Sequence, residues 1–257
     1  MWLAPAAAAA GVGLIACDNV GSTNAEALAR ARAGEPGPLW ITARAQTAGR
    51  GRRGRVWISE PGNLYASLLL TDPAPPERAA QLAFVAALAV HDAIAAVAPA
   101  LAPQLAFKWP NDLLLGGAKL AGILIEAEGT RPLVVTIGIG VNCGHHPADA
   151  EHPATDLAAA GAPATVEALF AALSLAMLQR LREWQAGFAP IRAAWLACAA
   201  GLGGELRARL GAREVTGRFE TIDAEGRLRL RLADGHIETI SSGEVFPIAP
   251  GNAPVGL

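Results

Sequence analysis

Lysine is nearly absent from this chain. Of its 21 basic residues only Lys108 and Lys119 are lysine, and the other nineteen are arginine. Charge of either sign is scarce: charged residues make up 17% of the sequence, and the formal net charge of −2 goes with a pI near 6.2. That balance excludes a protein whose main business is coating nucleic acid. Cysteine is limited to Cys17, Cys143 and Cys198, an odd number, widely spaced and without a Cys-x-x-Cys pair. A disulfide framework and a zinc site are therefore not expected, and three reduced thiols fit a cytoplasmic protein. No run of 18 or more strongly apolar residues stands out, so no membrane-spanning helix is expected. The alanine-rich opening segment lacks the positive flank and strong apolar centre of a signal peptide. No internal repeat or disordered tract is evident.

What is present in quantity is apolar: 52% hydrophobic residues over 257 positions, enough for one full-size core and a small appendage. Residues 12–17 read as a strand, followed by a helix from Gly21 to about residue 33. Thr23 and Glu26 carry the spacing of a capping box. Residues 39–45 and 64–70 read as strands. Pro75-Pro76 opens a long alanine-rich helix ending near Val97. Residues 105–115 (interrupted by Pro110), 120–128 and 133–141 are strand-like, and a loop holding His145, His146 and His152 fills 144–163. Those histidines have no acidic neighbour at ligand spacing, which favours an ordinary loop over a metal site. Two amphipathic helices follow, at 165–184 and 190–200. After a glycine hinge at 201–204 the texture becomes short alternating strands at 205–210, 215–222, 228–232 and 237–240. About 45 residues of this kind make a small barrel that is stable only when packed on its neighbour. The chain is thus expected to divide into residues 1–200 and 204–250.

Both lysines fall within Phe107-Lys108-Trp109-Pro110-Asn111-Asp112, continuing through a Gly116-Gly117 hairpin turn to Lys119-Leu120-Ala121-Gly122. A chain this biased to arginine keeps lysine where a compact ammonium is needed. Upstream, Gly49-Arg50-Gly51-Arg52-Arg53-Gly54-Arg55 threads four arginines through three glycines. Its Gly-x-Gly-x-x-Gly spacing matches the dinucleotide fingerprint but lacks the helix that must open on the last glycine, so that reading is rejected. A flexible loop whose arginines close over a polyanion remains, beside an RNA-touching tract or a solvated loop. Asn111 and Asp112 read as turn formers or as a site for Mg²⁺ or phosphate. Ser22, Thr23 and Asn24 read as helix caps or as holders of a polar uncharged ring. Asn142, ending Gly138-Ile139-Gly140-Val141-Asn142, reads as a turn closer or as an amide for a base edge.

Taken in order, Gly21-Ser22-Thr23-Asn24, Gln46 to Arg55 with Trp57, Gly62-Asn63-Leu64-Tyr65-x-Ser67, Lys108 to Asp112, Lys119 to Leu124 with Glu126, and Ile137-Gly138-x-Gly140-x-Asn142 resemble the bacterial biotin–protein ligases. The resemblance implies an α+β fold: a mixed-sheet catalytic domain of the biotin/lipoate ligase type with a small C-terminal SH3-like barrel. It implies formation of biotinyl-AMP from biotin and ATP with Mg²⁺, then transfer to a lysine of the biotin carboxyl carrier protein of acetyl-CoA carboxylase. On the same ground Lys119 and Arg52 would be catalytic, and Ser22, Thr23, Asn24, Gln46, Arg50, Gly51, Arg52 and Lys119 would hold biotin. Arg55, Trp57, Asn111, Asp112, Gly122 and Asn142 would hold ATP, with Mg²⁺ near Asp112. About twenty residues precede the Ser-Thr-Asn motif, too few for a winged-helix domain, so neither DNA nor membrane is expected as a partner. Whether the chain forms a homodimer is left open. A lipoate or octanoate ligase of the same fold and an RNA-binding module are the rival readings.

Overall fold

The computed structural model describes residues 1–148 and 153–248. Its first unit is a seven-stranded mixed sheet in the order β1-β2-β3-β7-β6-β5-β4. Strands β1 (Gly13–Val20), β2 (Leu39–Gln46) and β3 (Leu64–Thr71) form one half. Strands β4 (Leu105–Lys108), β5 (Asp112–Leu115), β6 (Ala118–Glu128) and β7 (Val134–Val141) form the other. Only β1 and β2 run parallel, joined by helix α2 (Thr23–Arg32); the remaining pairs are antiparallel.

The two faces of the sheet follow from strand periodicity. Trp40, Leu64, Ala66 and Leu68 point to the main core, while Leu39, Ile41 and Leu69 point to α2 and its Ala27. The main core is completed by α3 (Leu82–Val97), α4 (Val166–Ala186) and α5 (Phe188–Ala197). Within residues 76–97 an 18-residue stretch has a mean hydropathy of 1.8 and by length and composition alone could cross a membrane. Two-thirds of that stretch is buried inside the protein (67%), so its apolar surface is used in the core. Its first turn is tighter than expected: Pro76–Gln81 is a 3₁₀ segment, and α3 proper starts at Leu82.

The second unit is a five-stranded antiparallel sheet, β11-β10-β9-β8-β12, from β8 (Glu205–Leu210), β9 (Arg213–Ile222), β10 (Leu228–Arg231), β11 (Ile237–Ile240) and β12 (Glu244–Pro247). Four of these strands match the alternating runs of the sequence. The fifth, β12, is four residues long and ends in proline, a composition that reads as loop until β8 pairs with it. Residues 249 and 250, expected to close this unit, lie outside the described residues.

One segment without an assigned role takes shape here, and two expectations are corrected. The alanine-rich start forms a short helix, α1 (Pro5–Ala9), docked on α4 with Ala7 fully buried and the Ala4 amide donating to Ser174 Oγ at 2.9 Å. The run 105–115 is a hairpin and not one interrupted strand, with Lys108 opposite Asp112. The capping box on α2 is not made: Ser22 is the N-cap, Glu26 pairs with Arg30 at 2.9 Å, and Gln46 Oε1 accepts the Thr23 amide at 2.8 Å. A side chain from the end of β2 does the work assigned to a local one.

The small sheet docks through its β9–β10 turn. Gly226 O accepts from the Trp109 indole at 3.0 Å, and Ala224 O accepts from Gln81 Nε2 at 2.9 Å. Arg192 donates to Ile222 O and to Thr221 Oγ1. Gly226 has φ +83°, and a Cβ there would sit 2.5 Å from the Phe84 ring, so the turn approaches only as glycine. Trp109→Phe keeps the apolar contact and leaves a buried carbonyl unpaired. Urea unfolding should show a loss of about 1–3 kcal/mol, and an unchanged midpoint would mean the bond contributes nothing to docking.

Candidate active site

A cleft of about 520 Å³ opens between the two units. Its lining joins residues far apart in sequence: the start of α2, the arginine-glycine segment, β6 and β7, the β4–β5 hairpin, and β12 of the small sheet. Every residue singled out from the sequence, from Ser22, Thr23, Asn24 and Gln46 through Arg50, Gly51, Arg52, Arg55 and Trp57 to Asn111, Asp112, Lys119, Gly122 and Asn142, lines this one space.

One end is polar and uncharged. Ser22, Thr23 and Asn24 are buried at the α2 terminus. Ser67 Oγ bridges Thr23 Oγ1 (2.7 Å) and Asn24 Oδ1 (2.6 Å). Gln46 Oε1 accepts from Thr23 at its amide and hydroxyl, while Gln46 Nε2 donates to Ser59 Oγ at 2.8 Å. Asn24 Nδ2 donates to Glu126 at 2.8 Å. A Cβ on Gly138 would lie 2.6 Å from Asn24 Oδ1, so β7 must be bare there. The network fixes the orientation of each amide and hydroxyl before any ligand arrives. Such a set suits a neutral ring that both donates and accepts hydrogen bonds.

The middle is set by Trp57. Its indole rests on β6 and β7 where both strands carry glycine: a Cβ would fall 3.0 Å from the ring at Gly122 and 2.6 Å at Gly140. The indole Nε1 is buried and has no protein partner. Lys119 Nζ stands 5.5 Å from the ring centroid, within cation–π range.

The other end is cationic. Lys119 Nζ lies 2.7 Å from Asp112 Oδ1, and its backbone is clamped by the chain returning from the histidine loop. The Lys119 amide donates to Pro153 O (2.8 Å), and Lys119 O accepts from Thr155 (3.0 Å). Burial pushes the Lys108 ammonium below its ordinary pKa, with Asp112 opposing and Lys119 reinforcing the shift. Burial, then the neighbouring Arg53, likewise lowers Arg52, which donates to Asn111 Oδ1 at 3.2 Å. Asn111 Nδ2 donates in turn to Ile123 O at 2.7 Å. Two desolvated cations at one end of a cleft are stabilised by any anion that enters.

The arginine-glycine segment is a folded turn and not an open loop. Arg52–Gly54 forms a single tight turn with Arg53 at φ 57°. Each guanidinium has a counter-group: Glu126 for Arg50 at 3.2 Å, Glu244 for Arg55 at 2.5 Å and for Arg53 at 4.0 Å, and Asn111 with Gly243 O for Arg52. Glu244 stands on β12, about 190 residues downstream, and no local pattern marked it as a site residue. Phe246, also on β12, lies under Lys108, Arg207 and Arg209 at 5.0–5.4 Å.

The histidine loop is anchored at both stems. Asn63 Oδ1 accepts the amides of Cys143, Gly144 and His145. His146 Nδ1 lies 2.6 Å from Asp156 Oδ2, giving it the acidic neighbour that local spacing did not. Burial raises the Asp156 carboxyl, but the Ala159 amide and His146 outweigh it and hold it below the usual range. Asn142 Nδ2 is occupied by Thr155 O at 3.0 Å, an anchor at the pocket wall. His152 lies outside the described residues, and no group of three or more metal-ligating side chains occurs among those described.

This architecture is shared with known proteins. Residues 20–142 match the model of the biotin/lipoate A/B protein ligase family, and residues 201–246 match the biotin protein ligase C-terminal domain. The chain is 47% identical over 234 residues to the biotin–[acetyl-CoA-carboxylase] ligase of Paracoccus denitrificans, covering 88% of this chain and 96% of that protein. It is 36% identical to the bifunctional ligase/repressor BirA of Bacillus subtilis, covering 90% of this chain and 73% of the repressor. The solved structure of the Aquifex aeolicus biotin protein ligase with biotin and ATP superposes with a TM-score of 0.77 at 26% identity, covering 92% and 98% of the two chains. The chain belongs to the biotin–protein ligase family.

Because Glu244 is the carboxylate that ties the arginine segment to β12, Glu244→Ala should free it. Trypsin should then cut between Arg50 and Arg55 at least several times faster than in the parent, with the rest of the chain intact. Equal cleavage rates would show that the segment is held without Glu244.

Proposed function

We propose that this chain is the ligase that joins biotin to ATP as biotinyl-5′-AMP and then passes biotin to a lysine of the biotin carboxyl carrier domain of acetyl-CoA carboxylase. The observation that carries the reading is the polarity of the cleft: a neutral hydrogen-bonding cluster at one end, a cationic cluster at the other, and Trp57 between them. Biotin has the same order of chemistry, an uncharged ureido ring, an apolar tail and a carboxylate. Ser22, Thr23, Asn24 and Gln46 would hold the ring, and Arg50, Gly51 and Trp57 would cover the tail.

In the first step a carboxylate oxygen attacks the α-phosphorus, the bond to the bridging oxygen breaks, and pyrophosphate leaves. Two anions must meet, so fixed positive charge is the largest expected catalytic contribution. Lys119 and Arg52 would supply it, and Lys108, held charged at a cost by burial, gains a counter-charge from the phosphates. Arg55, Trp57, Asn111, Asp112, Gly122 and Asn142 would line the nucleotide side, with Trp57 at its boundary with the biotin tail. Mg²⁺ suits this donor set through phosphate oxygens and at most the Asp112 carboxylate, where it would screen the phosphate charge. In the second step the acceptor Nζ attacks the acyl carbon, a C–N bond forms, and AMP leaves with the acyl oxygen's bond broken. Residues 1–200 would supply both substrate subsites and 204–250 would close the cleft through Glu244 and Phe246. Free Cys17, Cys143 and Cys198 and the use of ATP support action in the cytoplasm.

The RNA reading loses its support, because the chain belongs to the biotin–protein ligase family and the arginine segment lines the cleft. A lipoate ligase would use the same logic on a different tail, so exchange of labelled pyrophosphate into ATP should depend on biotin and not on lipoate. Lys119→Ala should cut that exchange about a hundredfold or more. Lys119→Arg should rescue it poorly, since a planar fork does not replace a point charge beside Asp112. Near-normal exchange by folded Lys119→Ala would remove lysine from the catalytic role.

A further inference from the structure

Among the described residues, five large apolar side chains are notably exposed, and two of them flank Trp57: Val56 at 79% and Ile58 at 52%. Their exposure is not the result of a loose backbone. Gly51 donates to Arg55 O at 2.7 Å, Trp57 donates to Gly49 O at 2.9 Å, and Gln46 donates to Ser59 O at 3.0 Å, while Arg50 and Val56 form a bridge. The segment is therefore extended and tied on alternate residues. In such a segment successive side chains point to opposite faces. With Trp57 committed to the glycines inside, Val56 and Ile58 are held at the mouth of the cleft, which both help to line, and remain exposed there. A single exposed apolar residue is ordinary, but a rigid pair at the rim of a reactive cleft calls for a partner.

We propose that Val56 and Ile58 form the docking surface for the acceptor protein. The inference rests on the ligase reading: a protein lysine must reach the acyl-adenylate, so the acceptor's own fold has to cover this rim. Next to the pair along the chain are the partly exposed side chains of Arg50, Arg53 and Arg55, each within 4.0 Å of the Glu126 or Glu244 carboxylate. The surface thus has an apolar centre and a basic margin. It fits a folded domain that carries its target lysine beside apolar side chains and acidic groups. A complementary margin of this kind raises the encounter rate and sets orientation, while the apolar centre sets the lifetime.

The test uses the full chain with Val56→Ser and Ile58→Ser combined, and Val56→Thr with Ile58→Thr as a milder pair should the first unfold on heating earlier than the parent. Three readouts are needed: biotin-dependent pyrophosphate exchange, biotin transfer to a purified apo carrier domain of acetyl-CoA carboxylase, and transfer to hydroxylamine, a nucleophile that needs no docking. Exchange and hydroxylamine transfer should stay within about twofold of the parent, and KM for the carrier domain should rise at least tenfold with kcat little changed, about 1.4 kcal/mol of lost docking. An unchanged KM for the carrier domain overturns the proposal. So does a change in sedimentation of the enzyme alone with unchanged carrier KM, which would make the pair an interface between two copies of this chain. Loss of exchange in the variant would place the pair in adenylate formation and overturn it as well. Absence of exchange in the parent would instead overturn the ligase reading, and the docking surface with it.

Discussion

The contact on which the site depends is that of the Trp57 indole with two bare strands. Strands β6 and β7 each carry a glycine under the ring, and a methyl group at Gly140 would intrude to 2.6 Å. That closeness does three things at once. It draws the arginine-glycine segment, which ends two residues before Trp57, across the sheet; it builds the apolar middle of the cleft; and it leaves Lys119 facing the ring at 5.5 Å. Glycine in a strand interior weakens the strand by itself, so the sheet gives up some local preference for this approach. The central position of β7, paired on both sides by β3 and β6, supplies the rigidity that makes the loss tolerable.

The second constraint joins the small sheet to the chemistry. Trp109 belongs to the lysine-bearing motif, yet its indole is spent on Gly226 O and its ring on the core. Two residues away, Asn111 holds Arg52, which also reaches Gly243 O. The hairpin therefore touches the sheet of residues 205–247 at its turn and at its last strand. Movement of that sheet would be felt at Arg52, Arg53 and Arg55 together, through Gly243 and Glu244. Access to the cleft is thereby coupled to the docking of a unit that contributes few of the substrate-facing groups.

Much of this was legible in the sequence for a simple reason: strands covered on both faces carry few polar residues, as 64–70 does with Ser67 alone, and half-covered ones alternate, as 205–210 does. What could not be read locally was decided by distant partners. Thr23 has the spacing of a cap but answers to Gln46, 23 residues on. Strand β12 exists because β8 offers it an edge, and Glu244 meets Arg55 only across the cleft. The gathering of the site residues could be inferred from two rare lysines and a dense arginine segment, but their division into ring-binding and phosphate-binding ends came from family likeness. Nothing in spacing alone says that Trp57 faces Gly122 and Gly140, or that Val56 and Ile58 stay exposed at the cleft's rim.

The cleft depends on the fit of Trp57 against β7. Titrating Gly140→Ala with biotin by calorimetry asks the question directly, since the three atoms nearest the added methyl all belong to the indole. Thermal unfolding of the variant checks that it remains folded. If the ring organises the cleft, biotin affinity falls at least tenfold, about 1.4 kcal/mol. Parent-like affinity in the folded variant would show that the indole can sit elsewhere and that the cleft does not depend on it.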